Sequence, residues 1–107
     1  MSKLPKSIPV LGRKVKITRK MPEVGITVEQ NSYFGLFFAE PFIIWINPKV
    51  KDPELAHRVL LHELVHACLY RVGASQTLST EAEEVICETM ANFFSDYMES
   101  YLLRHVE

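Results

Sequence analysis

The sequence predicts an α+β fold: a small antiparallel or mixed sheet followed by two packed helices. Three observations carry that expectation. The first half alternates apolar and polar residues with the two-residue period of strands, punctuated by proline and glycine. Residues 53–72 are then apolar nearly all round with no breaker, as in a buried helix. A third stretch, from about residue 79 onward, is strongly helical in composition and carries a run of glutamates.

The strands are read first. Val15-Lys16-Ile17-Thr18 and Val24-Gly25-Ile26-Thr27-Val28 alternate around the Met21-Pro22 punctuation. Tyr33 to Phe38, a turn at Ala39-Glu40-Pro41, and Phe42 to Ile46 suggest a hairpin that carries most of the aromatic mass, ended by Asn47-Pro48. Residues 1–12 read as a flexible basic arm. With 107 residues, the chain makes one domain, residues 1–107, able to bury about 60–65% of its unfolded surface.

The first helix has clear limits. Asp52 is a good N-cap, Pro53 suits the first helical position, and Glu54 lies at the positive end of the dipole. Arg71 falls in the last turn and Gly73 is placed to stop the helix in a left-handed conformation. Inside those limits lies His62-Glu63-Leu64-Val65-His66. Positions i and i+4 share a helix face, so both imidazoles can reach one metal ion, and the glutamate between them can hold a water without being a ligand. Such a pattern arises by accident in roughly one chain of this length in several hundred. The bland alternative is a pair of core histidines satisfied by backbone carbonyls, with Glu63 paired to Arg58. His57 points away from the ligand face and is expected to be exposed or structural.

A catalytic zinc site takes three protein ligands and leaves one position open. No histidine follows His66 until His105, so the third ligand should be a carboxylate or, failing that, Cys87. On a helical wheel, Ala82, Val85, Ile86, Met90, Phe93, Phe94, Tyr97 and Tyr101 define the expected buried face of the second helix. Glu81, Glu84, Glu88, Asn92, Ser95 and Glu99 fall opposite, as a solvated stripe. Glu83 alone lies in the apolar arc, which makes it the expected metal ligand beside His62 and His66, with Glu84 and Glu88 as reserves. Glu83 could instead close a capping box on Thr80; with Ser79 as the N-cap it is free.

Composition bounds the rest. An apolar fraction of 48% and a charged fraction of 23% are ordinary for a globular protein. No stretch approaches the roughly 20 apolar residues of a membrane span, and no signal-peptide core is visible. Cys68 and Cys87 read as reduced, buried thiols, which suits a cytoplasmic protein. Net charge is −1, with Lys3, Lys6, Arg13, Lys14, Lys16, Arg19 and Lys20 ahead of any acidic residue. No aromatic lies among the first twenty residues, so a solvated arm and strand face is favoured over a nucleic-acid partner.

From residue 33 to residue 97 the chain resembles the zincin metallopeptidases. More narrowly, it resembles the small glutamate-zincin proteins of bacteria and phages related to the ImmA/IrrE group. The resemblance rests on the strand pair ending at Ile46-Asn47, on Leu60 to Ala67, and on Glu83-Glu84-Val85-Ile86-Cys87-Glu88-Thr89-Met90-Ala91-Asn92. It implies a minimal zincin-like core in which His62, His66 and Glu83 hold Zn²⁺ and Glu63 is the catalytic base. It further implies a zinc metallopeptidase acting on an extended or loop segment of a protein, in a bacterial or phage-infected cell. The chain departs from larger zincins in lacking the extra helices that wall a substrate cleft. A catalytically silent zincin-fold protein that binds a protein partner is the alternative.

Overall fold

The computed structural model describes residues 4–25 and 29–106. Four strands come first: β1 (Ser7–Val10), β2 (Arg13–Thr18), β3 (Gly35–Phe38) and β4 (Ile43–Ile46). Two helices follow, α1 (Pro53–Arg71) and α2 (Thr80–Val106). The sheet order is β1-β2-β4-β3, with β2 and β4 parallel and both outer pairs antiparallel. The fold is therefore α+β with a mixed sheet, as the sequence predicts.

Two expectations on the first half are corrected. Residues 7–10 are not part of a loose arm: they pair with β2 from Ser7↔Lys16 to Val10↔Arg13. A tight turn closes this hairpin, with φ 50° at Leu11 and 89° at Gly12. Arg71, at the end of α1, donates to the carbonyls of Val10 and Leu11 at 3.3 and 2.7 Å and ties the turn to the helix. The second correction concerns residues 24–28. Glu23–Gly25 form a 3₁₀ turn, not the start of a strand, and Ile26 to Val28 lie outside the described residues.

Alternation sorts the sheet into two faces. Val15, Ile17, Ile44 and Ile46 point to one side and form the core with Val59, Leu60, Ala56 and Ala67 of α1. Trp45 points to the other side and is wholly buried, its indole N–H donating to the Arg19 carbonyl at 3.1 Å. Arg19 in turn donates to the carbonyls of Asn47 and Val50, 3.1 and 3.0 Å away, at the exit from β4. The path from β4 into α1 is thus fixed by hydrogen bonds on buried polar groups, which would otherwise be costly.

α1 lies between the sheet and α2. Pro53 opens it, the Ala56 N–H reaches the Asp52 carbonyl at 2.9 Å, and Gly73 at φ 80° ends it. Asp52 caps through its backbone only, without the expected side-chain hydrogen bond. α2 meets α1 through small side chains: Cys87 and Ala91 are fully buried. The expected apolar arc of α2 is largely open, with Val85 65%, Phe93 57% and Tyr97 55% exposed. The reason is geometric. Among the described elements α2 packs chiefly on α1, and close helix approach favours the small-residue line over the aromatic one. Cys68, expected to be buried, is exposed; both thiols are free.

Candidate metal centre

The local sequence delivers each site residue to one cleft. Gly35 lets β3 press on α1: a Cβ at that position would stand 2.7 Å from Val59 Cγ1 and 3.4 Å from Glu63 Cγ. On the other side, Ser79 caps α2, accepting from the Ala82 N–H at 3.1 Å, while its carbonyl takes the Glu83 N–H at 3.0 Å. Glu83 is therefore free of a capping box. Between these walls lies a cleft of about 1050 Å³, with His62, Glu63 and His66 on its floor and Glu83, Glu84 and Glu88 on the α2 side.

The two imidazoles lie with ring centroids 5.1 Å apart. Each Nδ1 has its own carboxylate: Glu88 Oε1 is 3.0 Å from His62 Nδ1, and Glu83 Oε2 is 2.6 Å from His66 Nδ1. Both Nε2 atoms share a third acid, Glu84, whose Oε1 is 3.2 Å from His62 and Oε2 3.0 Å from His66. A carboxylate within hydrogen-bond distance of Nδ1 is the outer partner that orients metal-binding histidines and leaves Nε2 to face an ion.

The three expected ligands, His62, His66 and Glu83, come together at this centre, joined by Glu84 and Glu88. Glu83 reaches the centre, but at the Nδ1 edge of His66, where it orients the ring. Glu84, a reserve candidate in the sequence, lies between the Nε2 atoms of both histidines. Glu84 and Glu88 are exposed, as the wheel expects, yet their carboxylates also reach the histidines. A usable signal lay in the charges themselves, because two histidines on a buried helix need acceptors. His62, His66 and Cys87 also offer one ligand atom each within 4.8 Å of one another and could hold a metal ion.

Glu63 stands apart from this network. It is 7% exposed, lines the cleft, and has no side-chain hydrogen bond among the described residues. Burial drives its carboxyl pKa up to about 7, against the pull of His66 and His62, with the Glu84 charge adding to the rise. A carboxyl poised there can exchange a proton near neutral pH, which a general base needs. Cys87 is pushed up to about 12, first by burial and then by the surrounding carboxylates.

Other polar side chains lie as follows. Tyr70 lines the cleft, but its hydroxyl donates to Glu40 Oε2 at 3.1 Å, and Arg13 grips the same carboxylate at 3.0 and 3.3 Å. His57 is half-buried, with Nδ1 2.8 Å from the Pro53 carbonyl, a structural role. Arg58 lines the cleft without pairing to Glu63. The side chain of His105 is outside the described residues. No described helix is long and apolar enough to cross a membrane. No family model, curated protein or solved structure matches the chain.

Proposed function

We propose that the protein is a zinc-dependent metallopeptidase that hydrolyses an extended or loop segment of a protein substrate. The observation that carries this reading is the division of labour among the carboxylates: Glu83 and Glu88 hold the Nδ1 atoms, and the Nε2 atoms converge on Glu84. Two outward nitrogens and one oxygen are the donor set of an open His₂Glu zinc site. His62, His66 and Glu84 would hold the ion, with the Cys87 thiol, within 4.8 Å of an imidazole nitrogen of each histidine, as a further candidate donor. Bound zinc supplies Lewis acidity, which acidifies water and polarises a carbonyl.

Glu63 acts as the base in this reading. Its carboxylate takes a proton from water as the water oxygen adds to the scissile carbonyl, and then delivers that proton to the departing amine. The amide bond breaks to a carboxylic acid and an amine, with no other co-reactant. Its location on the cleft floor, one residue after His62, keeps it beside the reacting atoms without tying it up in hydrogen bonds.

β3 gives the substrate a place to lie. It is an edge strand bordering the cleft. Because the Asn47 N–H donates to the Phe34 carbonyl at 2.8 Å, alternation turns the N–H and C=O groups of Gly35 and Phe37 to the open side. An extended peptide can add to that edge as a further strand.

The test is hydrolysis of an unbiased peptide library by the wild type and by Glu63→Gln. The expected result is cleavage by the wild type and none by the variant, with zinc content unchanged. Cleavage that survives Glu63→Gln overturns the proposal. A wild type that binds zinc and cuts nothing favours the silent partner-binding alternative.

A further inference from the structure

Resting on the reading of the cleft as a peptide site, we infer that Arg58 selects the substrate by binding a carboxylate about two residues C-terminal to the scissile bond. Arg58 is the one lysine or arginine that lines the cleft among the described residues. Its guanidinium is exposed and has no hydrogen bond or ion pair among them. Of the acids lining the cleft, Glu83, Glu84 and Glu88 turn to the histidines, and Glu63 makes no pair with Arg58. The cleft therefore holds one unanswered positive charge, at one end.

Chain direction decides which end. Gly35 packs on Val59 and Glu63, whereas Phe37, further along β3, packs on Tyr70 with ring centroids 5.8 Å apart. β3 thus runs in the same sense as α1. A peptide added antiparallel to β3 enters at the Tyr70 end and leaves toward Leu55 and Arg58. Arg58 lies four residues before His62 on the same helix, about 6 Å along its axis. An extended peptide advances about 3.3 Å per residue, so that distance spans roughly two residues on the leaving-amine side. A guanidinium pairs with a carboxylate there in two parallel hydrogen bonds. The carboxylate can be an aspartate or glutamate side chain, or the end of the chain.

Three fluorescein-labelled octapeptides separate these cases: one amidated with an internal aspartate two residues past the centre, one with lysine there, and one with a free terminus at that point. Binding is read by anisotropy on Glu63→Gln, which cannot consume them. At least one carboxylate peptide should bind about tenfold or more tighter than the lysine peptide. Arg58→Glu should reverse that order, and the milder Arg58→Gln should abolish the preference. The two carboxylate peptides tell side chain from terminus. Equal binding of all three, a preference that survives Arg58→Glu, or no binding overturns the inference. Arg58-dependent binding of peptides that the wild type leaves uncut sustains it and defeats the hydrolase reading.

Discussion

Replacing Glu63 by glutamine should stabilise the metal-free protein at pH 8 while removing the proposed base. In the folded chain the Glu63 carboxyl is raised from 4.5 to about 7, chiefly by burial. A folded pKa above the unfolded one means that the fold prefers the protonated form. The benefit is complete below pH 4.5 and is lost as pH rises through about 7, so at pH 8 the buried charge is borne in full. That rise corresponds to about 3 kcal/mol, at about 1.36 kcal/mol per pKa unit. Glutamine keeps the shape without the charge and should recover much of this at pH 8 and little at pH 4. Urea unfolding of EDTA-treated wild type and variant at both pH values measures the difference. A variant no more stable than wild type at pH 8, or an advantage equal at pH 4 and 8, refutes the account of Glu63 as a buried, unbonded carboxylate. The site then has the character of many functional sites: the group that serves the chemistry weakens the fold.

Other substitutions test other parts of the site. Glu88→Ala removes the acceptor from His62 Nδ1 and should weaken zinc binding ten- to a hundredfold by titration against a chelator, since such outer partners typically contribute that much. Gly35→Ala drives a methyl to 2.7 Å from Val59 Cγ1; a loss of about 1–3 kcal/mol in urea unfolding is expected, and unchanged stability would show that β3 does not press on α1. Under brief alkylation the folded protein should carry an adduct on exposed Cys68 and none on Cys87, with both modified in urea; mass spectrometry of the digest reads the difference.

Sequence and structure agree where one local signal dominates. α1 was legible because Asp52-Pro53 and Gly73 bound an uninterrupted apolar run, and i, i+4 spacing alone places His62 and His66 on one face. The β3–β4 pair was legible from its aromatic and β-branched runs around Glu40-Pro41. β1 is masked in the sequence: Ser7-Ile8-Pro9-Val10 alternates and Leu11-Gly12 makes a turn, but the lysines nearby read as a solvated arm. The buried face of α2 is hidden from the sequence for a tertiary reason. A wheel assumes that large apolar residues are inside, yet a helix packed chiefly on one neighbour buries whichever line packs closest. Here that line is Cys87 and Ala91, and it carries Glu83, Glu84 and Glu88 to the histidines while leaving Phe93 and Val85 open.

Metal content tests the account most directly. Protein purified without a histidine tag, then titrated with zinc in calorimetry, should bind one ion per chain; His62→Ala and His66→Ala should abolish binding, and Glu84→Gln should weaken it more than Glu83→Gln. Wild type that takes up no zinc at micromolar concentration, or histidine variants that bind as tightly as the wild type, would contradict it.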